Sequence, residues 1–160
     1  MAIQSDLFDL SNKVAVVTGS SKGIGRSIAT AMAEHGARVV ISSRKPDPCA
    51  EVAADINARC ADHTGEAIAI PANIGVKEEL QALVDQTRAH WGQIDVLVCN
   101  AAVNPYYGPA MDIPDGAFDK IMSSNIKSNH WLCQMVVPEM IERKDGSIMI
   151  VSSIGGLKAS

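Results

Sequence analysis

The hydrophobic positions of this chain fall into short runs separated by amphipathic stretches. Val14-Ala15-Val16-Val17-Thr18 is continuously apolar and rich in β-branched residues, the pattern of a strand covered by helices on both faces. Glycines follow at 19, 23 and 25, and Ile24, Ile28, Ala31 and Met32 then recur at helical spacing up to Gly36, a residue suited to ending a helix. Arg38 to Ser42 is strand-like, Cys49 to Ala61 is Ala-rich and helix-like, and Glu66 to Ile70 is strand-like again. Between Glu78 and Trp91, Leu80, Leu83, Val84 and Trp91 share one helical face, while Glu78, Glu79, Gln81 and Asp85 occupy the rest. Ile94 to Val98 predicts a fourth strand, Ile126 to Arg143 a long helix adjusted near Pro138, and Ser147 to Ser152 a fifth strand.

Strands alternating with helices at this spacing imply right-handed βαβ crossovers, and so an α/β fold with a doubly wound parallel sheet of order 3-2-1-4-5. The one long connection, Ala101 to Gly116, carries Pro105, Gly108, Pro109, Pro114 and both tyrosines, Tyr106 and Tyr107. It follows the fourth strand, where loops shape ligand crevices.

Composition narrows the function classes. A chain of 160 residues is the size of one domain, and residues 1–160 are expected to form a single nucleotide-binding domain. The hydrophobic fraction of 47%, charged fraction of 20% and net charge of -4 are those of an ordinary globular protein. Lys and Arg are scattered, so no basic stripe exists for nucleic acid. The longest apolar runs are of strand length and argue against a membrane partner. Asp6 and Asp9 near the start do not fit a secretory signal, which makes the cytoplasm the expected location. The four cysteines, Cys49, Cys60, Cys99 and Cys133, form no CxxC pair and are expected to be inert thiols. Cys60 and His63 have ligand-like spacing but no companion pair, so no metal site is expected.

Thr18-Gly19-Ser20-Ser21-Lys22-Gly23-Ile24-Gly25 stands where the first strand passes into the first helix. Glycines there permit unusual backbone angles and close ligand approach, and the free N–H groups at the helix start face an anion. Three residues separate Gly19 from Gly23, unlike GxGxxG, and Lys22 precedes Gly23 instead of following it as in a P-loop.

The TGxxxGxG spacing of Thr18 to Gly25 resembles the short-chain dehydrogenase/reductase family. Three later segments strengthen the resemblance, in the family's order. Val98-Cys99-Asn100-Ala101-Ala102 is similar to its Asn-Ala-Gly segment, with Ala102 in place of Gly. Ser124-Asn125-Ile126 matches its helix asparagine, and Gly146 to Gly156 resembles its strand-five signature. The resemblance implies a Rossmann-type fold and an oxidoreductase moving hydride between a nicotinamide cofactor and a ketone, aldehyde or alcohol. It further implies that Gly19, Ser21, Lys22, Gly23, Ile24, Gly25, Asn100, Ala101 and Ala102 line the cofactor. By the same resemblance Asn73, with Ile74 beside it, meets adenine where the family often has Asp, Ser153 positions the substrate oxygen, and Asn125 supports a proton-relay water. Taken singly, Asn125 also suits a helix cap, and Ser152 and Ser153 also suit a strand end.

An acidic residue about 20 positions beyond the glycines would select NAD. Val39-Val40-Ile41-Ser42-Ser43-Arg44-Lys45 contains none. Ser43 stands where NAD-selective relatives carry Asp, and Arg44 follows with paired donors suited to a 2′-phosphate. With Lys22 and Lys45 nearby, NADP is the expected cofactor, the alternative being that Arg44 and Lys45 are solvated loop charges.

The resemblance also calls for a Tyr-x-x-x-Lys pair after Ser153, which is not among these 160 residues. Four positions beyond Tyr106 and Tyr107 stand Ala110 and Met111, so neither tyrosine completes the pair, and an aromatic wall for the substrate is their expected role. Family members add sixth and seventh strands after strand five; without them strand five would expose apolar surface and unpaired backbone. A piece of a longer chain is therefore expected, with weak cofactor binding and no turnover of its own. The alternative is a non-catalytic nucleotide-binding or interaction module. The carbonyl-reductase branch is the nearest in resemblance, by residues 101–107 and 43–45, and family habit implies a homo-oligomer, a dimer or tetramer.

Overall fold

The computed structural model describes residues 6–62 and 64–156. Five strands form one parallel sheet in the order β3-β2-β1-β4-β5: β1 Val14–Thr18, β2 Arg38–Ser42, β3 Glu66–Ala69, β4 Val96–Cys99 and β5 Ser147–Ile150. The helices are α1 Gly23–Glu34, α2 Pro46–Arg59, α3 Lys77–Trp91, α4 Asp115–Ile121 and α5 Ser128–Arg143.

All five residues of β1 are buried, because it lies mid-sheet with layers on both faces. Alternation along the strands divides the core in two. Ala15, Val17, Val39 and Ile41 pack against Ala29 and Ala33 of α1 and Val52 and Ile56 of α2. Val16, Val40 and Leu97 point the other way, onto Leu80, Leu83 and Val84 of α3 and Leu132 and Val136 of α5. Each of the Val, Leu and Ile side chains among these, fully buried, contributes about 1.5–3 kcal/mol relative to exposure.

The amino-terminal ends of the strands are locked by Asp95, which is 2% exposed. One carboxylate oxygen accepts the Val14 N–H at 2.8 Å, and the other accepts from the Arg143 guanidinium at 3.4 Å. Arg143 also donates to the Ile94 carbonyl at 2.9 Å. β1, β4 and the end of α5 are thereby joined by one charged group.

Two elements differ from the pattern along the sequence. The expected helix from Ile126 is preceded by α4 and by a π-helical stretch, Met122–Lys127, that runs directly into α5. The irregularity thus falls at Met122–Lys127 and not at Pro138, through which α5 continues. The fifth strand ends at Ile150 instead of Ser152. It forms one edge of the sheet, with Ile148, Met149 and Ile150 36%, 43% and 59% exposed. Among the described residues, no helix is long and apolar enough to cross a membrane.

Candidate functional site

The strand order reverses between β1 and β4, and at this switch point the carboxyl ends of parallel strands diverge to leave a crevice. Two glycines set how closely the turn after β1 can pack there. Gly19 has φ +67°, and a Cβ on it would fall 2.9 Å from the Ala101 Cα. A Cβ on Gly25 would fall 2.5 Å from both Asn100 Nδ2 and the Gly19 carbonyl oxygen. The first turn of α1 therefore lies directly against the turn and against the end of β4, a spacing that only glycine permits.

Side chains then fix the turn on three sides. The Asn100 amide donates to the carbonyls of Thr18 at 2.9 Å and Gly19 at 3.2 Å. The Thr18 hydroxyl accepts the N–H groups of Asn100 and Ala101, both at 3.1 Å, and donates to the Val98 carbonyl at 3.3 Å. Ser20, fully buried, donates its hydroxyl proton to the Val17 carbonyl at 2.6 Å and accepts the Ser42 N–H at 2.9 Å. Thr18 and Ser20 were not singled out as site residues from the sequence, because a short polar side chain beside glycine is an ordinary turn signal.

These contacts wall a cleft of about 750 Å³. It is lined by Gly19, Ser21, Lys22, Gly23, Ile24, Gly25, Ser43, Arg44, Lys45, Asn73, Ile74, Asn100, Ala101 and Ala102, every residue the sequence nominated for a cofactor. Pro48, Ala72, Val103, Lys120 and Ser124 complete the lining; Pro48 and Lys120 carry no local sequence signal for it, since only the fold brings the first turn of α2 and α4 to this cleft. Four lining residues are cations, Lys22, Arg44, Lys45 and Lys120, and none is a carboxylate. None of these four forms an ion pair among the described residues. No side chain caps the start of α1, so its first-turn N–H groups and positive dipole end add to this field. Such a cleft suits an extended phosphate-bearing ligand.

Within it, Asn73 makes its own turn: its side-chain oxygen accepts the Gly75 N–H at 3.1 Å, while its backbone N–H donates to Glu79 at 2.7 Å. Ser43 sits at the end of β2 with its hydroxyl 3.1 Å from the buried Cys49 thiol. At the end of β4, burial pushes the Cys99 thiol up to about 12, so it is a protonated packing group and not a nucleophile.

Ser153 and Asn125 lie outside the cleft lining, though Ser124 is part of it. The Asn125 side chain is committed at both ends to Val103, accepting its N–H at 2.8 Å and donating to its carbonyl at 2.9 Å. Its own carbonyl, in the π-helical stretch, accepts from Asn129 at 2.8 Å. Ser153 is exposed beyond β5, and its hydroxyl accepts the Gly155 N–H at 3.2 Å. Neither tyrosine is among the residues that line this cleft; Tyr107 is 98% exposed, and Tyr106 donates to the Pro109 carbonyl at 3.1 Å. Cys60 is buried at the end of α2; His63, its partner in the ligand-like spacing, lies outside the described residues.

Residues 13–160 match the family model described as short chain dehydrogenase. A curated relative from Bos taurus, dehydrogenase/reductase SDR family member 4, is 42% identical over 145 residues, covering 91% of this chain and 50% of that protein. The Homo sapiens protein of the same name is 40% identical over 151 residues, covering 94% and 53%. The chain thus spans about half the length of the curated relatives it matches. Among solved structures, a short-chain type dehydrogenase/reductase from Mycobacterium marinum superposes with a TM-score of 0.87 at 32% identity, covering 100% of this chain and 63% of that one. A metagenomic short-chain oxidoreductase in complex with NADP gives 0.85 at 34% identity, covering 94% and 66%. The glycine turn, the sheet order and these matches agree: the chain belongs to the short-chain dehydrogenase family.

Proposed function

We propose that the cleft binds NADP, and that the protein belongs to an oxidoreductase that moves hydride between nicotinamide and a ketone, aldehyde or alcohol. The observation that carries this reading is the pairing of Ser43 with Arg44 at the end of β2, where the cleft holds cations and no carboxylate. A carboxylate there would take the ribose hydroxyls and repel a 2′-phosphate, whereas a guanidinium offers that phosphate two donors. The similar metagenomic structure that holds NADP is consistent with this choice.

Gly19 and Gly25 leave space against the turn, the uncapped start of α1 supplies N–H donors, and Lys22 and Arg44 balance phosphate charge. The bound cofactor supplies or accepts the hydride; the protein supplies geometry and electrostatics. Ser153 is the proposed donor to the substrate oxygen. Asn125 is proposed as the support of the proton relay, holding the segment after β4 through its two bonds to Val103.

Titration of NADP and NAD against the protein and against Arg44→Ala tests the cofactor. The expected result is a preference for NADP that falls by about 10- to 100-fold in the variant, the equivalent of one charge-assisted contact. Equal affinities unchanged by the substitution would reject it. The alternative, a nucleotide-binding module without turnover, is separated by following NADPH absorbance with a panel of ketones and aldehydes.

A further inference from the structure

Lys120 has no place in the sequence-based list of cofactor residues, yet α4 delivers it to the cleft. Its ammonium lies 3.4 Å from the point where a Cβ on Gly75 would stand, and Asn73 Oδ1 lies 3.4 Å from the same point. Lys120 thus lies over the segment after β3. No ion pair holds it there among the described residues.

We infer that Lys120 is an adenine-binding residue of the cleft, acting on affinity for the dinucleotide and not on the choice between NADP and NAD. The inference rests on the NADP reading, in which Arg44 marks the adenosine ribose. The segment 73–75 is then the floor beneath the base. Adenine offers a π-face and ring nitrogens that accept hydrogen bonds, and an ammonium suits both. Arg44 and Lys120 therefore have separate tasks: one recognises the 2′-phosphate, the other the base that both cofactors share.

The test is calorimetric titration of the protein, Lys120→Ala, Lys120→Arg and Arg44→Ala with NADP, NAD, ADP and nicotinamide mononucleotide. Lys120→Ala is expected to weaken NADP, NAD and ADP alike by about threefold to tenfold, the scale of one partly exposed cation–π contact. It should leave the mononucleotide, which lacks adenine, unchanged, and Lys120→Arg should restore most of the loss. A loss confined to NADP, an equal loss with the mononucleotide, or no loss at all would overturn the inference while leaving the cofactor reading standing. Equal binding of NADP and NAD by the parent protein, unchanged in Arg44→Ala, would instead reject the cofactor reading. Lys120 is exposed, so the variants are expected to fold, and matching thermal unfolding curves check that.

Discussion

Ser20 and Ser42 are joined twice: the Ser20 N–H donates to the Ser42 carbonyl at 3.1 Å, and the Ser42 N–H donates to the Ser20 hydroxyl at 2.9 Å. The glycine turn is thereby tied to the end of β2, two residues before Arg44. Both serines are buried, so Ser20→Ala leaves a buried N–H without its partner, at a cost of about 1–3 kcal/mol. Urea denaturation measures the loss. A stability unchanged within error would mean that the second bond does not matter.

Gly25→Ala is expected to be costlier for binding than its size suggests. The added methyl would meet Asn100 Nδ2 and the Gly19 carbonyl at 2.5 Å, and backbone cannot give way as a flexible side chain can. Overpacking of this kind costs about 1–3 kcal/mol. The displaced turn should also weaken NADP binding by more than the alanine weakens folding; unaltered NADP affinity would contradict the close fit.

Replacing Ser43 with Asp should invert the cofactor preference. The new carboxylate would stand beside Arg44 at the end of β2, pairing with it and repelling the 2′-phosphate while offering acceptors to ribose hydroxyls. The ratio of NADP to NAD affinity is expected to fall at least about tenfold, the scale of one charged contact. Parallel titrations of the two cofactors give the answer, and a ratio that does not move would place the adenosine ribose elsewhere.

At the opposite end of the sheet, Arg143→Met removes one guanidinium from the Asp95 carboxylate, which is 2% exposed. Removing one partner of a buried pair costs about 3–5 kcal/mol; the Arg143 side chain is 26% exposed, which places the loss toward or below the lower end. The double variant Arg143→Met with Asp95→Asn should recover part of the loss, because the uncompensated charge is gone. A double variant no more stable than the single one would show that the charge is not the cause.

Cys99 should make folding sensitive to alkali. Its thiol is pushed up from 9.0 to about 12 by burial, so between those values the unfolded chain ionises there and the native protein does not. The unfolded state then holds fewer protons, and stability falls as pH rises through that window. Denaturation midpoints from pH 8 to 11 should fall less steeply in Cys99→Ala than in the parent. Parallel slopes would assign the alkaline sensitivity to other groups.

The sequence by itself determined the layer architecture. The uninterrupted apolar run at Val14–Val17 required two covered faces, and the strand–helix alternation with glycines at 19, 23 and 25 specified a parallel sheet with a ligand turn after β1. These are local signals, carried by periodicity and by backbone demands that few residues meet. The residues nominated around the turn, after β2, after β3 and after β4 needed only that order to converge, because carboxyl ends of parallel strands share one side of a sheet.

Tertiary structure alone decided the rest. Lys120 sits in α4, Thr18 ends β1, Ser20 is an ordinary turn residue, and Asn125 spends its amide on Val103. None of these roles has a local signature, since each depends on a partner distant in sequence. The helical stretch before Ile126 has no sequence signal for a related reason: Asp115–Ile121 has no buried residue, so it lacks the apolar stripe by which a helix announces itself. Tyr106 donates to the Pro109 carbonyl and Tyr107 is left in solvent, orientations that the composition of the loop does not carry. Composition names which groups a segment carries; only the packed backbone settles which way they face.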